Sequence, residues 1–280
     1  MAIGAARLGE IEPRERVGAQ TGRKYEYQYE RTARAALGLL VDGPKHVCVY
    51  CDWHDDYVIE IGEPPTCYEF HQVKGRKSSQ GPWSFREFFG VSKTKAKTLP
   101  KKPVAVRLDG ILPLMLLHHK NFSTACAGLA FVTNAGLDPI LSEFLEEIGR
   151  SAVESALTAT ARLDLEHIAR AYAAADPQIA SSATELFEWL RGLKVHIDQG
   201  HLENVELALL ELADVVVEFS EIELLQRQAK QIAREIVGKV WTKVAHSSTV
   251  VPTPEGTVAT RQGRRRCGIA GHPESVRPGV

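Results

Sequence analysis

Stretches rich in β-branched and aromatic residues alternate along this chain with stretches that show helical spacing. Segments 47–50 and 57–59 are of the first kind, and they flank the acidic run Asp52-Trp53-His54-Asp55-Asp56. A turn at Gly62-Glu63-Pro64-Pro65 then leads to Tyr68-Glu69-Phe70-His71-Gln72-Val73-Lys74. This pattern predicts two neighbouring β-strands, one with the acidic run and one with the Gln-Val-Lys segment. A later apolar run at 127–134, which ends in a turn, predicts a buried strand.

Helical spacing appears before and after this region. Tyr25, Tyr29, Ala33 and Ala36 predict a first helix over residues 23–40. Glu26, Gln28 and Glu30 on this helix are expected to form solvated surface. Residues 83–89 predict a short helix that covers the sheet. Further apolar stripes predict five helices, at 140–148, 165–172 (capped by Asp164), 186–193, 205–216 and 222–245.

These elements predict an α/β fold with a mixed central sheet and flanking helices, followed by an α-helical region. A chain of 280 residues with 44% hydrophobic content is long enough to bury a full core. We expect a flexible N-terminus at 1–13, an α/β core at 14–137 and a helical region at 138–246. The last segment, 247–280, lacks periodicity and is rich in Pro, Thr, Gly and Arg, so it is predicted to be a disordered tail.

Charge is unevenly distributed along the chain although the formal net charge is only -1. Between residues 74 and 107 the only acid is Glu87, whereas the helical region is mostly acidic. The basic residues of the first region are Lys74, Arg76, Lys77, Arg86, Lys93, Lys95, Lys97, Lys101, Lys102 and Arg107. Such a run is either a solvated loop or a contact surface for nucleic-acid phosphates, and its position directly after the Gln-Val-Lys segment favours the second interpretation.

Sequence signals for export or membrane insertion are missing, so a soluble cytoplasmic protein is expected. Residues 1–16 contain no apolar core, and no window approaches eighteen uncharged apolar residues. The five cysteines are odd in number and scattered, which is typical of a reducing compartment. Cys48 and Cys51 suggest a zinc or redox pair, but an offset of three on a strand places them on opposite faces.

Candidate chemistry centres on Gln72 and Lys74, which project from the same face of their strand. A carboxylate from the acidic run, the amide oxygen and the ammonium can together hold a hard divalent cation and a polarised water. The alternative is a purely structural role, in which the Gln-Val-Lys segment is a half-solvated strand edge and Asp55-Asp56 lie in a hairpin turn. His118 and His119 are adjacent and must diverge, so at most one of them can face any given site.

A family resemblance rests on an ordered set of segments spread over residues 14–134. The segments are Arg14-Glu15 with Gly18, Tyr27-Gln28, Asp52-Trp53-His54-Asp55-Asp56, Gln72-Val73-Lys74, Trp83-Ser84 and Phe131-Val132-Thr133-Asn134. The set resembles the double-stranded DNA endonuclease effector domain of bacterial CBASS anti-phage systems, a domain best known fused to a SAVED cyclic-oligonucleotide sensor. That domain belongs to the PD-(D/E)xK, restriction-endonuclease-like nucleases in their QxK variant. The resemblance therefore implies a restriction-endonuclease-like core.

The resemblance also implies a role for each site residue. Asp56 would bind the metal, with Asp55 as the near alternative, and Asp52 stands where the family usually has Glu. Gln72 would ligate the metal through its side-chain oxygen, and Lys74 would orient or help to deprotonate the attacking water. Because Gln replaces an acid, the affinity for Mg²⁺ or Mn²⁺ is expected to be weak until a DNA phosphate completes the ligand shell.

The expected function is metal-dependent hydrolysis of double-stranded DNA in anti-phage defence. The candidate DNA contacts are Arg76, Lys77, Lys93, Lys95 and Lys97. No SAVED sensor is recognised in the sequence, so control is expected from a separate sensor protein, from a longer chain or from homo-oligomerisation. The alternatives are a non-catalytic nucleic-acid-binding adaptor on a nuclease-like fold and an interaction protein that docks a partner through its acidic helices.

Overall fold

A five-stranded mixed sheet forms the centre of the computed structural model. The structure describes residues 17–40, 46–53, 55–62, 67–94, 98–99, 102, 104–176, 179, 182–197, 205–220 and 222–245. The strands are β1 (His46–Trp53), β2 (Asp55–Ile61), β3 (Cys67–Lys74), β4 (Cys126–Thr133) and β5 (Leu193–Ile197). Their spatial order follows the chain order; β1, β2 and β3 pair antiparallel, while β3–β4 and β4–β5 pair parallel. The predicted α/β fold with a mixed sheet is confirmed.

Eight α-helices surround this sheet in the described part of the chain. They are α1 (Val17–Leu37), α2 (Phe85–Phe89), α3 (Ile111–Phe122), α4 (Pro139–Arg150), α5 (Ala159–Ala175), α6 (Ala183–Arg191), α7 (Val205–Glu218) and α8 (Gln226–Ala245). Helices α2 to α6 share a core with Tyr50, Val58, Phe70 and Phe131 on one side of the sheet, which we call the α3 face. Helix α1 covers the opposite side, which we call the α1 face, and α7 and α8 pack onto α1.

The acidic run lies on a hairpin between two strands. Strand β1 ends at Trp53 and β2 begins at Asp55, so the region holds three strands where the sequence predicted two. Asp52 has a φ of 47°, a left-handed backbone conformation that Asp tolerates better than most residues. Because β2 and β3 are antiparallel, the start of β2, directly after the hairpin, lies beside the end of β3.

Strand β5 was not predicted from the sequence. The stripe at 186–193 places Leu193 on a helix, whereas α6 ends at Arg191 and Leu193 begins β5. This strand pairs parallel to β4 along its whole length, from Leu193 opposite Leu129 to Ile197 opposite Thr133. Residues after 138 therefore help to complete the same sheet.

Several local expectations were wrong because distant contacts outweigh local preference. Gln28 and Glu30 are buried on α1, whereas Glu26 is exposed as predicted. Asp164 does not cap α5; its N-cap is Thr158, and Asp164 lies fully buried inside the helix. There it accepts a 3.2 Å hydrogen bond from the backbone N–H of Thr94.

Other expectations are confirmed, and some lie outside the described residues. Cys48 packs on the α3 face and Cys51 in the core of α1, α7 and α8, so the two cannot share a metal ion. No described helix is long and apolar enough to cross a membrane. The predicted flexible N-terminus at 1–13, the predicted disordered tail at 247–280, Lys95 and Lys97 lie outside the described part of the chain.

Candidate active site

Strand β3 brings Gln72 and Lys74 to the α3 face at its C-terminal end. Tyr68 and Phe70, which precede them on that face, pack into the hydrophobic core. Gln72 is buried opposite Phe131 of β4, whereas the Lys74 side chain is 41% exposed. The alternation of β3 thus passes from core to open surface, and Lys74 is placed where a substrate can reach it.

Asp56 completes this group from the neighbouring strand. Its Oδ2 atom accepts hydrogen bonds from the Gln72 side-chain amide and, at 2.6 Å, from the Val73 backbone N–H. The Lys74 ammonium lies 3.7 Å from the same oxygen. The three predicted catalytic residues, Asp56, Gln72 and Lys74, therefore lie together, and their contacts converge on one carboxylate oxygen.

The ionised form of Asp56 is disfavoured by its surroundings. Burial raises the pKa of its carboxyl from 3.8 to about 6, and the neighbouring Asp55 adds to the rise. The Lys74 ammonium and the two hydrogen bonds oppose the rise without cancelling it. A buried carboxylate with incomplete compensation gains from a nearby cation, which is a common property of functional sites.

Asp55 is held by other partners. Its Oδ1 accepts a 2.9 Å hydrogen bond from the Asp56 backbone N–H, and its Oδ2 lies 3.1 Å from His118 Nε2 on α3. The side chains of Asp55 and His118 are only 5% and 9% exposed. Of the two adjacent carboxylates, Asp56 is therefore the one that contacts Gln72 and Lys74.

Asp52, the other secondary candidate, lies exposed in the hairpin. The pairs Cys51↔Tyr57 and Trp53↔Asp55 flank it, which places its backbone opposite that of Asp56. A role for Asp52 at the site stays a prediction.

Side chains from two of the family-like segments, 83–84 and 131–134, hold the loop that follows Lys74. The Asn134 side chain accepts a 2.7 Å hydrogen bond from the Arg76 N–H and donates one of 2.8 Å to the Arg76 carbonyl. Trp83 donates its indole N–H to Thr133, 2.8 Å away, and Thr133 pairs with Lys74 across β3 and β4. These contacts join the ends of the two parallel strands beside the site.

The predicted DNA contacts differ in how far their charges are available. Arg76 is buried; its guanidinium lies 3.5 Å from the Trp83 ring centroid and pairs with Glu87. The Lys93 ammonium lies 3.5 Å from Asp164, whereas Lys77 is half-buried at the surface of the loop. Arg76 and Lys93 thus have internal partners, and a DNA contact by Arg76, Lys77 or Lys93 stays a prediction.

A second pair of carboxylate and lysine lies on the α1 face of the same strand. Glu69 is buried, pairs with Lys194 of β5 and lies 2.9 Å from His71 Nε2. The His71 ring stacks on Tyr57 with centroids 4.3 Å apart. Although burial alone would raise the pKa of Glu69, the contacts with His71 and Lys194 lower it from 4.5 to about 2. We call Glu69, His71 and Lys194 the Glu69 cluster.

The donor set at Asp56 fits a magnesium-like ion better than a transition metal. In the described part of the chain no three His, Cys, Asp or Glu side chains come together to form a metal site. Asp56 and Gln72 are in direct contact, and rotation of the Gln72 amide would turn its oxygen toward the carboxylate. One carboxylate and one amide oxygen suit Mg²⁺, which usually keeps several waters and binds substrate phosphates.

The contact of His118 with this site was not predicted from the sequence, which indicated only that at most one of His118 and His119 can face a given site. His118 and His119 diverge as expected: His118 faces Asp55, and His119 stacks on Trp189 with centroids 4.8 Å apart. A helical stripe through Met115, His118 and Phe122 is present in the sequence and indicates that His118 is on the buried side of α3. Its contact with Asp55, across 63 residues, is not readable from that stripe.

The sequence of this chain matches one known protein family. A sequence model of the family described as "Cap4, dsDNA endonuclease domain" matches residues 16–243. The chain belongs to this family. The match includes every predicted catalytic residue, helices α1 to α7 and α8 except its last two residues, and it confirms the resemblance inferred from the motifs.

Solved structures similar to this chain include receptors of the same family name. A Cap4 SAVED/CARF-domain containing receptor from Acinetobacter baumannii, with the cyclic trinucleotide 3'3'3'-cAAA, aligns at 13% identity and a TM-score of 0.44 over 78% of this chain and 40% of the receptor. The receptor from Moraxella osloensis aligns at 15% identity and a TM-score of 0.44 over 81% of this chain and 43% of the receptor. The chain thus spans about two fifths of the length of these receptors. A search of curated proteins gave no match.

Proposed function

We propose that this endonuclease domain cuts double-stranded DNA in a metal-dependent reaction at Asp56, Gln72 and Lys74. The observation that carries the proposal is the convergence of an amide and an ammonium on the largely buried Asp56 carboxylate, whose pKa is raised to about 6. Family membership supports the reaction and the substrate, and this geometry supports the choice of residues.

Asp56 and Gln72 would hold Mg²⁺ or Mn²⁺ through a carboxylate and an amide oxygen. When bound, the ion would supply Lewis-acid polarisation of the scissile phosphate and a water of lowered pKa. Of the two proposed ligands, Asp56 is anionic and Gln72 is neutral. We therefore expect the DNA phosphate itself to strengthen ion binding. Metal requirement and DNA binding should therefore be coupled.

Lys74 would act on the phosphate and the water. Its ammonium is close enough to Asp56 to be oriented by it, and its partial exposure leaves room for a substrate oxygen. A fixed cation beside the scissile phosphate stabilises the negative charge that develops during hydrolysis. The same group can orient the attacking water or take part in its deprotonation.

The DNA backbone is proposed to run over the basic region after Lys74. The residues expected to take part are Arg76, Lys77, Lys93, Lys95 and Lys97. Among the three that the structure describes, Lys77 has the most available charge. Glu87 and Asp164 partly neutralise Arg76 and Lys93. We therefore expect Lys77 to contribute more than these two to the salt dependence of binding.

Control is proposed to come from outside the region described here. The similar receptors are SAVED/CARF-domain containing receptors, and this chain spans about two fifths of their length. A sensor of that type, on the same polypeptide or on a separate protein, would turn the endonuclease on during anti-phage defence in the cytoplasm. Homo-oligomerisation of the domain is a compatible means of activation.

Plasmid cleavage with purified protein in Mg²⁺ or Mn²⁺, over a range of protein concentrations, tests the proposal. We expect nicking and linearisation by the wild type, and a loss of about 100-fold or more in Lys74→Ala, because a group that stabilises transition-state charge contributes that much. Lys194→Ala is the matched control, since Lys194 is also a half-exposed lysine paired with a carboxylate of this sheet. It should retain activity within a few-fold.

Equal cleavage by Lys74→Ala and the wild type would contradict the site assignment. DNA binding without cleavage at any protein concentration, in Mg²⁺ and in Mn²⁺, would favour the non-catalytic adaptor. In that case Lys77→Ala should weaken DNA binding and lower its salt dependence.

A further inference from the structure

His118 lies behind the site and contacts both strands that form it. Its Nε2 atom is 3.1 Å from Asp55 Oδ2 at the start of β2. Its ring stacks on Phe70 of β3, with centroids 4.1 Å apart and planes 9° from parallel. Phe70 is two residues before Gln72 on the same face of the strand. One side chain of α3 therefore contacts the strand that carries Asp56 and the strand that carries Gln72 and Lys74.

The contact with Asp55 has a defined direction. A carboxylate at neutral pH only accepts hydrogen bonds, so His118 Nε2 is the donor. The other ring nitrogen, Nδ1, is buried without a hydrogen-bond partner among the described residues. The ring is thus held in one orientation by Asp55 at its edge and by Phe70 on its face.

Asp55 transmits this constraint to Asp56. While Oδ2 accepts from His118, Oδ1 accepts the Asp56 backbone N–H at 2.9 Å. The Asp56 backbone is therefore held at the point from which its side chain reaches Gln72, Val73 and Lys74. Groups that orient metal ligands in this way commonly change metal affinity or activity by about 10- to 100-fold when they are removed.

We propose that His118 and Asp55 form a positioning pair that sets the Asp56 carboxylate for metal binding. His118 is a positioning residue and not a catalytic one, because its side chain is only 9% exposed and Phe70 covers one face of its ring. Asp55 is likewise a support for Asp56 and not a second ligand. This assignment rests on the proposed function, since it requires Asp56 to bind the cation.

Mn²⁺ binding, followed by electron paramagnetic resonance on the full chain, tests the assignment with a readout besides activity. The titrations include a DNA duplex and use the Lys74→Ala background so that no cleavage occurs. His118→Leu should weaken Mn²⁺ binding by about 10- to 100-fold. His118→Gln should remain within roughly threefold of the parent, because its side-chain amide supplies an N–H donor near the position of Nε2.

His119→Leu is the matched control, because His119 is adjacent in sequence but stacks on Trp189 instead of facing the site. It should bind Mn²⁺ as the parent does. Asp55→Asn provides a second route if His118→Leu folds poorly: it should weaken Mn²⁺ binding, and adding His118→Leu should weaken it little further, because the two residues act as one unit. Thermal denaturation of every variant separates lost metal affinity from lost folding.

Unchanged Mn²⁺ binding in both His118→Leu and Asp55→Asn would overturn the positioning role. So would a His118→Gln variant as weak as His118→Leu, or fully additive effects in the double variant. Failure of the proposed function gives a different result, namely either no Mn²⁺ binding by the parent or Mn²⁺ binding that is unchanged by Asp56→Asn. Either result would remove the metal site itself and this assignment with it.

Discussion

Strand β3 contributes to one carboxylate and lysine pair on each face of the sheet, through Lys74 on one face and Glu69 on the other, and the two pairs behave differently. On the α3 face Asp56 contacts Lys74 and Gln72; on the α1 face Glu69 contacts Lys194 and His71. Burial acts on both acids. For Glu69 the surrounding donors outweigh burial and lower the pKa to about 2, whereas for Asp56 burial prevails and raises the pKa to about 6.

The difference separates a pair whose charges are satisfied inside the protein from one whose carboxylate charge is only partly compensated. A carboxylate with a lowered pKa has its charge satisfied inside the protein, and the pair contributes to folding stability. A carboxylate with a raised pKa remains partly uncompensated, and a bound cation would relieve that cost. Because the two acids lie on opposite faces of the sheet, single substitutions can test each face separately.

The largest expected contrast is in cleavage activity. Asp56→Asn should reduce DNA cleavage by roughly 1,000-fold or more, because loss of the proposed metal ligand would remove several kcal/mol of transition-state stabilisation. Glu69→Gln, a matched exchange of acid for amide on the opposite face, should keep activity within about threefold of wild type, because Glu69 contacts Lys194 and His71 and lies on the other side of the sheet from Asp56. The measurement is the initial rate of plasmid linearisation at saturating Mg²⁺.

Thermal denaturation without metal completes the same comparison. Asp56→Asn should raise the melting temperature and Glu69→Gln should lower it, because only the first exchange removes an unfavourable buried charge. Destabilisation by both exchanges would show that Asp56 carries no uncompensated charge, and the distinction between the two faces would then be lost.

An intermediate effect is expected from Gln72→Glu, which places a second acid beside Asp56. The Mg²⁺ concentration for half-maximal cleavage should fall by about tenfold, because ligand charge raises the affinity for hard cations. Without metal, the two adjacent carboxylates repel each other and the amide donor to Asp56 is lost, so the melting temperature should fall. Addition of Mg²⁺ should restore it.

Val73→Thr serves as the control for this exchange, since the Val73 side chain packs on the α1 face of β3 and its backbone N–H, which donates to Asp56, is kept in the exchange. It should lower stability without changing the Mg²⁺ requirement. A Gln72→Glu variant with an unaltered Mg²⁺ requirement would show that Gln72 does not contribute to the metal site.

The parts of the site that were predictable are those that depend on local sequence. The period of two along β3 is enough to place Gln72 and Lys74 on one face, and the order of the motifs brings Asp56 next to them. The short helix at α2 and the buried strand β4 are likewise local features, set by a capping Ser84 and by an uninterrupted apolar run.

The parts that were missed depend on contacts between distant segments. Lys194 meets Glu69 across 125 residues and His118 meets Asp55 across 63, and neither contact leaves a periodic signal in the sequence. Asp164 looked like a helix cap because Asp is common at that position, but a buried contact with Thr94 across 70 residues holds it inside α5. Tertiary context overrides local preference at all of these positions.

The smallest expected effect is the pH dependence of stability, and it has opposite signs for the two acids. The folded-state pKa of Glu69, about 2, lies below its ordinary 4.5, so its stabilisation is complete above pH 4.5 and is lost as the pH falls toward 2. The folded-state pKa of Asp56, about 6, lies above its ordinary 3.8, so its ionised form costs stability above pH 6, and this cost disappears as the pH falls toward 3.8.

Urea denaturation in EDTA between pH 3 and 8 would measure both effects. At pH 7 the free energy of unfolding should be higher in Asp56→Asn than in the wild type and lower in Glu69→Gln, each by about 1–3 kcal/mol. The Asp56→Asn difference should shrink between pH 6 and 3.8, and the Glu69→Gln difference only below pH 4.5. Differences of one sign, or a common pH window, would mean that the two faces of β3 hold equivalent ion pairs. Opposite signs in separate windows would identify Asp56 as the acid whose charge the fold leaves for a ligand to compensate.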